Sequence, residues 1–297
     1  MIDLRWMKVL ITVTAFTLGG PWALAQDLPL SMIIIEGEDW ELVSEGHQFT
    51  EGPAVNAEGE VFFTDVPTSE IFKIDLAGKV TRWTDQSERT AGAMFGPNGV
   101  LYGTSMGAGA IVKFSESGKP TPIVSDVQCN DLVVTGRGAI YFTDHINKKL
   151  FYISPQGDLR QVDQDIALPN GLILWPDQQQ LVVSNTYGSE LWTYRIEKDG
   201  SLSHKQAYST MRLPHGNAQS GADGMTVDKV GRIYVCTHEG VQVFDTQGRL
   251  SGILAKPQQK FLSNICFGGA QLDTIYVTTT DKVYRRKLNT QGVRFSK

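Results

Sequence analysis

The chain repeats itself about every 40 residues, and a period of that length restricts it to a few repeat architectures. Six segments share one layout: a short apolar strand, a turn carrying Gly, Asn or Asp, and a second strand ending in Thr, Ser, Asn or Asp. They start at Glu51, Ala91, Asn130, Asn170, Asp223 and Asn264, at intervals of 40, 39, 40, 53 and 41 residues. Val61-Phe62-Phe63-Thr64-Asp65, Ile140-Tyr141-Phe142-Thr143-Asp144 and Ile233-Tyr234-Val235-Cys236-Thr237 show the second strand. A third, partly aromatic strand follows each pair, such as Ile71-Phe72-Lys73-Ile74 or Leu191-Trp192-Thr193-Tyr194, and a shorter fourth usually comes after it. The alternation has the two-residue period of strands, and helix-pair repeats would show a period of 3.6. Six units of four strands predict an all-β, six-bladed β-propeller of antiparallel blades around a central channel. Trp40 to Val43, ahead of the first repeat, is expected to complete the last blade and close the ring.

The long fourth interval places about 13 extra residues within 195–222, a stretch holding His204, Pro214, His215 and Gly216. Such a loop either decorates the surface or covers the channel mouth. Ahead of the repeats, Arg5 and Lys8 precede the apolar run Val9 to Leu18, and Ala23-Leu24-Ala25 follows. This is the layout of a secretory signal peptide over 1–25, and the run is short of the roughly 20 residues a spanning helix needs. The expectation is an exported protein, periplasmic or secreted, with 26–297 as one propeller domain and no membrane attachment after cleavage. With 27 basic against 32 acidic residues the net charge is −5, and the longest basic run is Arg285-Arg286-Lys287. Nucleic acid is therefore excluded as a partner. Three Cys make no disulfide framework, and Cys129, Cys236 and Cys266 read as buried small hydrophobes.

In a propeller the first strand of each blade lines the channel, so equivalent positions from distant parts of the chain meet around one axis. Position one of the six repeats reads Glu51, Ala91, Asn130, Asn170, Asp223 and Asn264. Two carboxylates and three carboxamides in a confined mouth suit a hard cation, because facing carboxylates repel unless a cation or proton intervenes. Asn and Asp also cap strands and bond their own backbone, which would make each of these residues structural.

At these residues the chain resembles the gluconolactonase, senescence-marker-protein and luciferin-regenerating-enzyme family of six-bladed propellers. The resemblance rests on Glu51-Gly52-Pro53, Asn130-Asp131-Leu132-Val133-Val134, Leu168-Pro169-Asn170-Gly171-Leu172 and Ala222-Asp223-Gly224-Met225. It implies that Glu51, Asn170 and Asp223 bind one divalent cation, Ca²⁺ first and Mg²⁺, Mn²⁺, Zn²⁺ or Fe²⁺ as alternatives. It also implies that Asp223 is the catalytic acid/base, that Asn130 contacts substrate, and that a small-molecule substrate, a sugar lactone or related ester, is opened by metal-activated water. No Gly-x-Ser-x-Gly nucleophile motif is present.

The chain also departs from the family. Asn130 directly follows Asp126-Val127-Gln128-Cys129, and Asp144 leads into His145-Ile146-Asn147 instead of an aromatic-proline stretch. These differences leave the metal residues intact and put gluconolactone itself in question. His145, His238 and His215 are candidate substrate contacts, the first two because each follows a second strand that ends at the mouth. A non-catalytic propeller, holding a structural cation and binding a small ligand or a protein, is the alternative.

Overall fold

The computed structural model of the chain describes residues 29–295. The signal-peptide expectation over 1–25 lies outside the described residues. Strand β1 (Glu41–Glu45) comes first. Blade one is Thr50–Val55, Val61–Asp65, Glu70–Ile74 and Val80–Thr84 (β2 to β5), and blade two is Thr90–Phe95, Leu101–Ser105, Ala110–Phe114 and Pro120–Ser125 (β6 to β9). Blade three is Leu132–Val134, Ile140–Asp144, Lys149–Ile153 and Leu159–Gln164 (β10 to β13). Blade four is Pro169–Leu174, Gln180–Asn185, Glu190–Ile196 and Leu202–Thr210 (β14 to β17), and blade five is Met225–Val227, Ile233–Thr237, Gly240–Phe244 and Leu250–Leu254 (β18 to β21). Blade six takes Asn264–Gly268, Thr274–Thr279 and Lys282–Lys287 (β22 to β24) from the end of the chain. Among the described residues, helix is limited to two three-residue 3-10 turns.

The sixth sheet has the order β1-β24-β23-β22, so the segment before the first repeat supplies its outer strand. The ring closes by this pairing of the chain's two ends, Glu41 opposite Arg285 and Leu42 opposite Tyr284. Burial is graded across each blade. The second strands are buried nearly throughout, while outer strands such as Leu159–Gln164 are largely exposed. The core therefore lies between neighbouring blades. Phe62 of blade one meets Phe95 of blade two edge to face at 5.0 Å, within a cluster that also holds Ala54, Leu101 and Phe114. The hairpin turns use the chemistry their sequences announce. In Asp75-Leu76-Ala77-Gly78, the Asp75 carboxylate accepts from the Ala77 and Lys79 amides at 2.9 Å, and Gly78 takes the left-handed φ of 84°.

The long fourth interval is partly strand and partly loop. Its hairpin is extended, β17 running nine residues against β16, and the remainder is the strandless segment 211–224. At the end of the channel away from the first-strand N-termini, the chain's C-terminal segment crosses the axis. Gly292 bridges Asp228, and Val293 and Phe295 pack against the blade three, four and five cores. A buried network fastens it: Asp228 pairs with Arg232 at 2.7 Å and accepts hydrogen bonds from Tyr234 and Thr290. Beside this strap the channel holds a mainly apolar cavity of about 110 Å³.

The link from β1 into blade one depends on a neutral histidine. His47 has a nearly buried ring, bonded to Ser44 Oγ at 2.7 Å, set edge-on to Phe63 and Phe72, with Asp65 Oδ2 3.6 Å away. Burial lowers its pKa, although Asp65, Glu70 and Asp281 pull the other way. A histidine depressed in the folded state binds its proton more readily when unfolded, so stability falls as pH drops below the unfolded value of about 6.5. Thermal unfolding from pH 7.5 to pH 5 should show this loss, and His47→Gln should flatten it. An unchanged slope in the variant would show that other groups carry the dependence.

Candidate functional site

Each first strand enters the channel at the mouth, and its position along the axis is fixed from the neighbouring blade. Second-strand hydroxyls reach across to the next blade's first-strand carbonyls. Thr64 donates to Ala91 O, Thr104 to Asn130 O, Thr143 to Asn170 O and Ser184 to Asp223 O, at 3.2, 2.6, 2.8 and 2.9 Å. The Thr or Ser next to the end of the second strand therefore holds Asn130, Asn170 and Asp223 from blades two, three and four. In blade five the equivalent residue is Cys236, buried, with its carbonyl accepting from the Asp223 amide.

The strands deliver Glu51, Asn170 and Asp223 to one place, each nearly buried. Two further residues join them. Asp131 and Asn264 are also buried, and Asn264 Nδ2 donates to Glu51 Oε2 at 3.0 Å and to Asp131 Oδ2 at 3.5 Å. Their backbones are equivalent. The Asp131 amide bonds Thr143 Oγ1 and the Asn264 amide bonds Thr278 Oγ1, while each side chain accepts from the following amide at 2.8 Å. Ser263, and not Asn264, is thus the partner of Asn130, and the sixth repeat begins one residue earlier than its spacing suggests.

Glycines of the preceding blades make this inner tier possible. A Cβ on Gly92 would lie 2.3 Å from Asp131 Oδ1, and one on Gly224 would lie 1.9 Å from Asn264 Oδ1. At the position after the site residue, four repeats carry Gly52, Gly92, Gly171 and Gly224, where the third carries Asp131. That break in the glycine column is the sequence signal for Asp131, and the sixth repeat, once shifted by one residue, breaks it in the same way with Asn264.

The electrostatics are those of carboxylates without a cation. Among the described residues no Lys, Arg or His forms an ion pair with Glu51, Asp131 or Asp223. Burial raises the Glu51 pKa against hydrogen bonds from the Gly52 amide and Asn264. Burial and the Glu51 charge push Asp131 up to about 7. Asp223 rises well above the usual range through burial and the charges of Glu51 and Asp131, opposed by hydrogen bonding from Asn170.

Asn170 supplies the other half of the argument. Its Nδ2 donates to Thr186 Oγ1 at 3.2 Å, leaving Oδ1 buried with no hydrogen-bond partner. Orphaned buried acceptors are rare in proteins and call for an unseen partner. A neutral oxygen without a donor, beside anionic oxygens without a cation, fits a hard divalent ion. Among the described residues no three His, Cys, Asp or Glu side chains alone form a metal cluster, so any such ion needs the amide.

The remaining expected residues are more dispersed. Asn130 is partly exposed, with its carbonyl taken by Gly92 N and Thr104 Oγ1. His145 and His238 are partly buried on loops that follow second strands, and burial lowers the pKa of both rings. His145 Nδ1 is a second buried atom without a partner. His215 is exposed on the 211–224 loop, which packs on blades four and five through Ser220 and Gly221. All three Cys are buried free thiols, as expected.

With this geometry in place, comparison with known proteins is decisive as to family. Residues 49–281 match the model of the SMP-30/Gluconolactonase/LRE-like region. The chain belongs to that family. It is 25% identical over 292 residues to the gluconolactonase of Zymomonas mobilis, covering 85% of this chain and 82% of that protein. It is 26% identical over 244 residues to lactonase drp35 of Staphylococcus epidermidis, with 75% and 74% of the two chains covered. The crystallised Xanthomonas campestris gluconolactonase XC5397 superposes with a TM-score of 0.77 at 25% identity, covering 87% of this chain and 92% of that one.

The site's packing yields a direct test. Gly224→Ala should displace the Asn264 amide from Glu51, and an overpacked position of this kind costs about 1–3 kcal/mol. Chemical denaturation should show that loss in a protein that still folds. A variant as stable as wild type would mean that Asn264 moves aside freely and that its bond to Glu51 is dispensable.

Proposed function

We propose that this protein is an exported, divalent-metal-dependent hydrolase that opens a lactone or related ester. The observation that carries the proposal is the Asn170 oxygen, buried and unpartnered beside the Glu51 and Asp223 carboxylates. The activities named for its relatives from Zymomonas, Staphylococcus and Xanthomonas agree with it. Glu51, Asn170 Oδ1 and Asp223 would hold the cation, Ca²⁺ in the first instance, since all the donors are hard oxygens. When bound, it supplies charge neutralisation and electrophilic stabilisation of the oxyanion that develops at the carbonyl.

The chain's own residues do the rest. Asp223 accepts a proton from the attacking water as the new C–O bond forms at the carbonyl carbon. It returns that proton to the ring oxygen as the old C–O bond breaks, leaving a hydroxy acid. Thr186 receives the Asn170 amide and donates to Ala222 O at 2.6 Å, which restrains the amide beside Asp223. Asn130 and the rim residues His145 and His238 would contact the substrate, with His215 farther out.

Export is supported by the basic, apolar and Ala-x-Ala layout of residues 1–25. Protein recovered from a periplasmic fraction should begin at Gln26 and acidify a weakly buffered lactone solution. Chelator should abolish that activity and excess Ca²⁺ restore it, and Asp223→Asn should lower kcat by about 10²–10⁴. Turnover indifferent to chelator, or undiminished in the variant, would overturn the mechanism.

A further inference from the structure

Three aromatic rings stand just outside the carboxylate cluster, on the mouth side of the strands that carry it. Phe49 and Phe261 are stacked, with ring centroids 6.4 Å apart and planes 20° from parallel. The His238 ring meets Phe261 at 6.0 Å in an edge-to-face arrangement. All three residues are only partly buried, so this ledge, spanning the approaches to blades one, six and five, keeps an open surface.

Its relation to the site follows from the chain. Phe49 lies two residues before Glu51, and Phe261 two before Ser263 and three before Asn264. The two strands are tied by Ser263 Oγ donating to Thr50 O at 2.8 Å and by Asn264 donating to Glu51 at 3.0 Å. Farther along, the same strands line the apolar cavity through Ala54, Val55, Cys266 and Phe267, so Phe49 and Phe261 lie toward the opposite end, at the mouth. His238 closes the set from blade five. Its amide donates to Ser220 O, and a Cβ on Gly221, two residues before Asp223, would strike its ring at 2.4 Å.

The ledge is held, not incidental. The buried Asp65 carboxylate accepts from the Phe49 and Gln48 amides, both at 3.0 Å. The Phe261 carbonyl accepts from Thr280 Oγ1 at 3.3 Å. Two stacked phenyl rings would pack with one another in any surface loop, but here a buried carboxylate is spent on fixing one of them beside the site.

We propose that Phe49, Phe261 and His238 form a specificity ledge for an apolar alkyl or aryl substituent, so that the preferred substrate is a substituted lactone or ester and not a polyhydroxylated sugar lactone. This rests on the hydrolase reading above. Phenyl faces offer no hydrogen-bond partner, and a sugar hydroxyl pressed against them loses its water without compensation. An apolar substituent gains by the same desolvation.

The test compares γ-phenyl-γ-butyrolactone with D-glucono-1,5-lactone on the purified, Ca²⁺-supplied protein. The phenyl lactone should have the higher kcat/KM by tenfold or more. Phe261→Ala should lower the phenyl-to-sugar ratio about tenfold, chiefly through KM, and Phe261→Leu, which keeps most of the volume, should give a smaller loss with the melting temperature preserved. A preference for the sugar lactone, or a ratio unmoved in both variants, would overturn the ledge. Should neither lactone be opened, the hydrolase reading fails, and calorimetry with the phenyl lactone still decides the ledge. Binding weakened about tenfold by Phe261→Ala upholds it, and no binding overturns it.

Discussion

The repulsion among Glu51, Asp131 and Asp223, buried around one axis with no protein cation beside them among the described residues, is the interaction on which the rest of the site depends. Such a set is tolerated only where protons or a metal ion compensate it. The fold must then hold these groups against their mutual repulsion, and a closed ring of blades is well suited to do so. No blade can withdraw its carboxylate without breaking contacts to both neighbours. The hydroxyls that link second strands to the next first strand set the axial positions of Asn130, Asn170 and Asp223, and Ser263 Oγ on Thr50 O does the same beside Glu51. Ring closure through β1 and β24 is therefore part of the functional architecture.

The two ends of the channel differ. At one end the C-terminal strap, fastened by the buried Asp228–Arg232 pair, lines a mainly apolar cavity. At the other lie Glu51, Asn170 and Asp223, with the proposed rim residues carried on loops that tolerate variation. Asp131 and Asn264 line the cavity, and Asn264 links Glu51 to Asp131. On the proposed reading, chemistry would sit on the strands and substrate choice on the turns between them.

Much of this was legible in the sequence, for physical reasons. The 40-residue period, the two-residue alternation and the Gly- and Asp-bearing turns fixed six four-stranded blades and the completing strand, because each is a local signal repeated many times. Position one departs from a uniform residue type, which brought Glu51, Asn130, Asn170, Asp223 and Asn264 forward together, and the family resemblance narrowed these to Glu51, Asn170 and Asp223. Asp131 was not singled out, and Asn264 was read one place out of step, since their inward placement depends on a one-residue offset in backbone pairing and on space left by glycines of another blade. That offset appears only when Thr143 and Thr278 are seen bonding the Asp131 and Asn264 amides. The Phe49–Phe261–His238 ledge was hidden for a related reason: three blades contribute one ring each, and no stretch of sequence holds two of them.

Whether these oxygens form a cation site is tested most directly by Ca²⁺ titration of chelator-treated protein in a calorimeter. Carboxyls whose proton affinity is raised must give up protons when a metal binds. The predicted result is one Ca²⁺ per chain, bound with proton release that grows as the pH is lowered from 8 to 6, and markedly weakened in Asn170→Ala. No binding at millimolar Ca²⁺, or binding undiminished in Asn170→Ala, would contradict it.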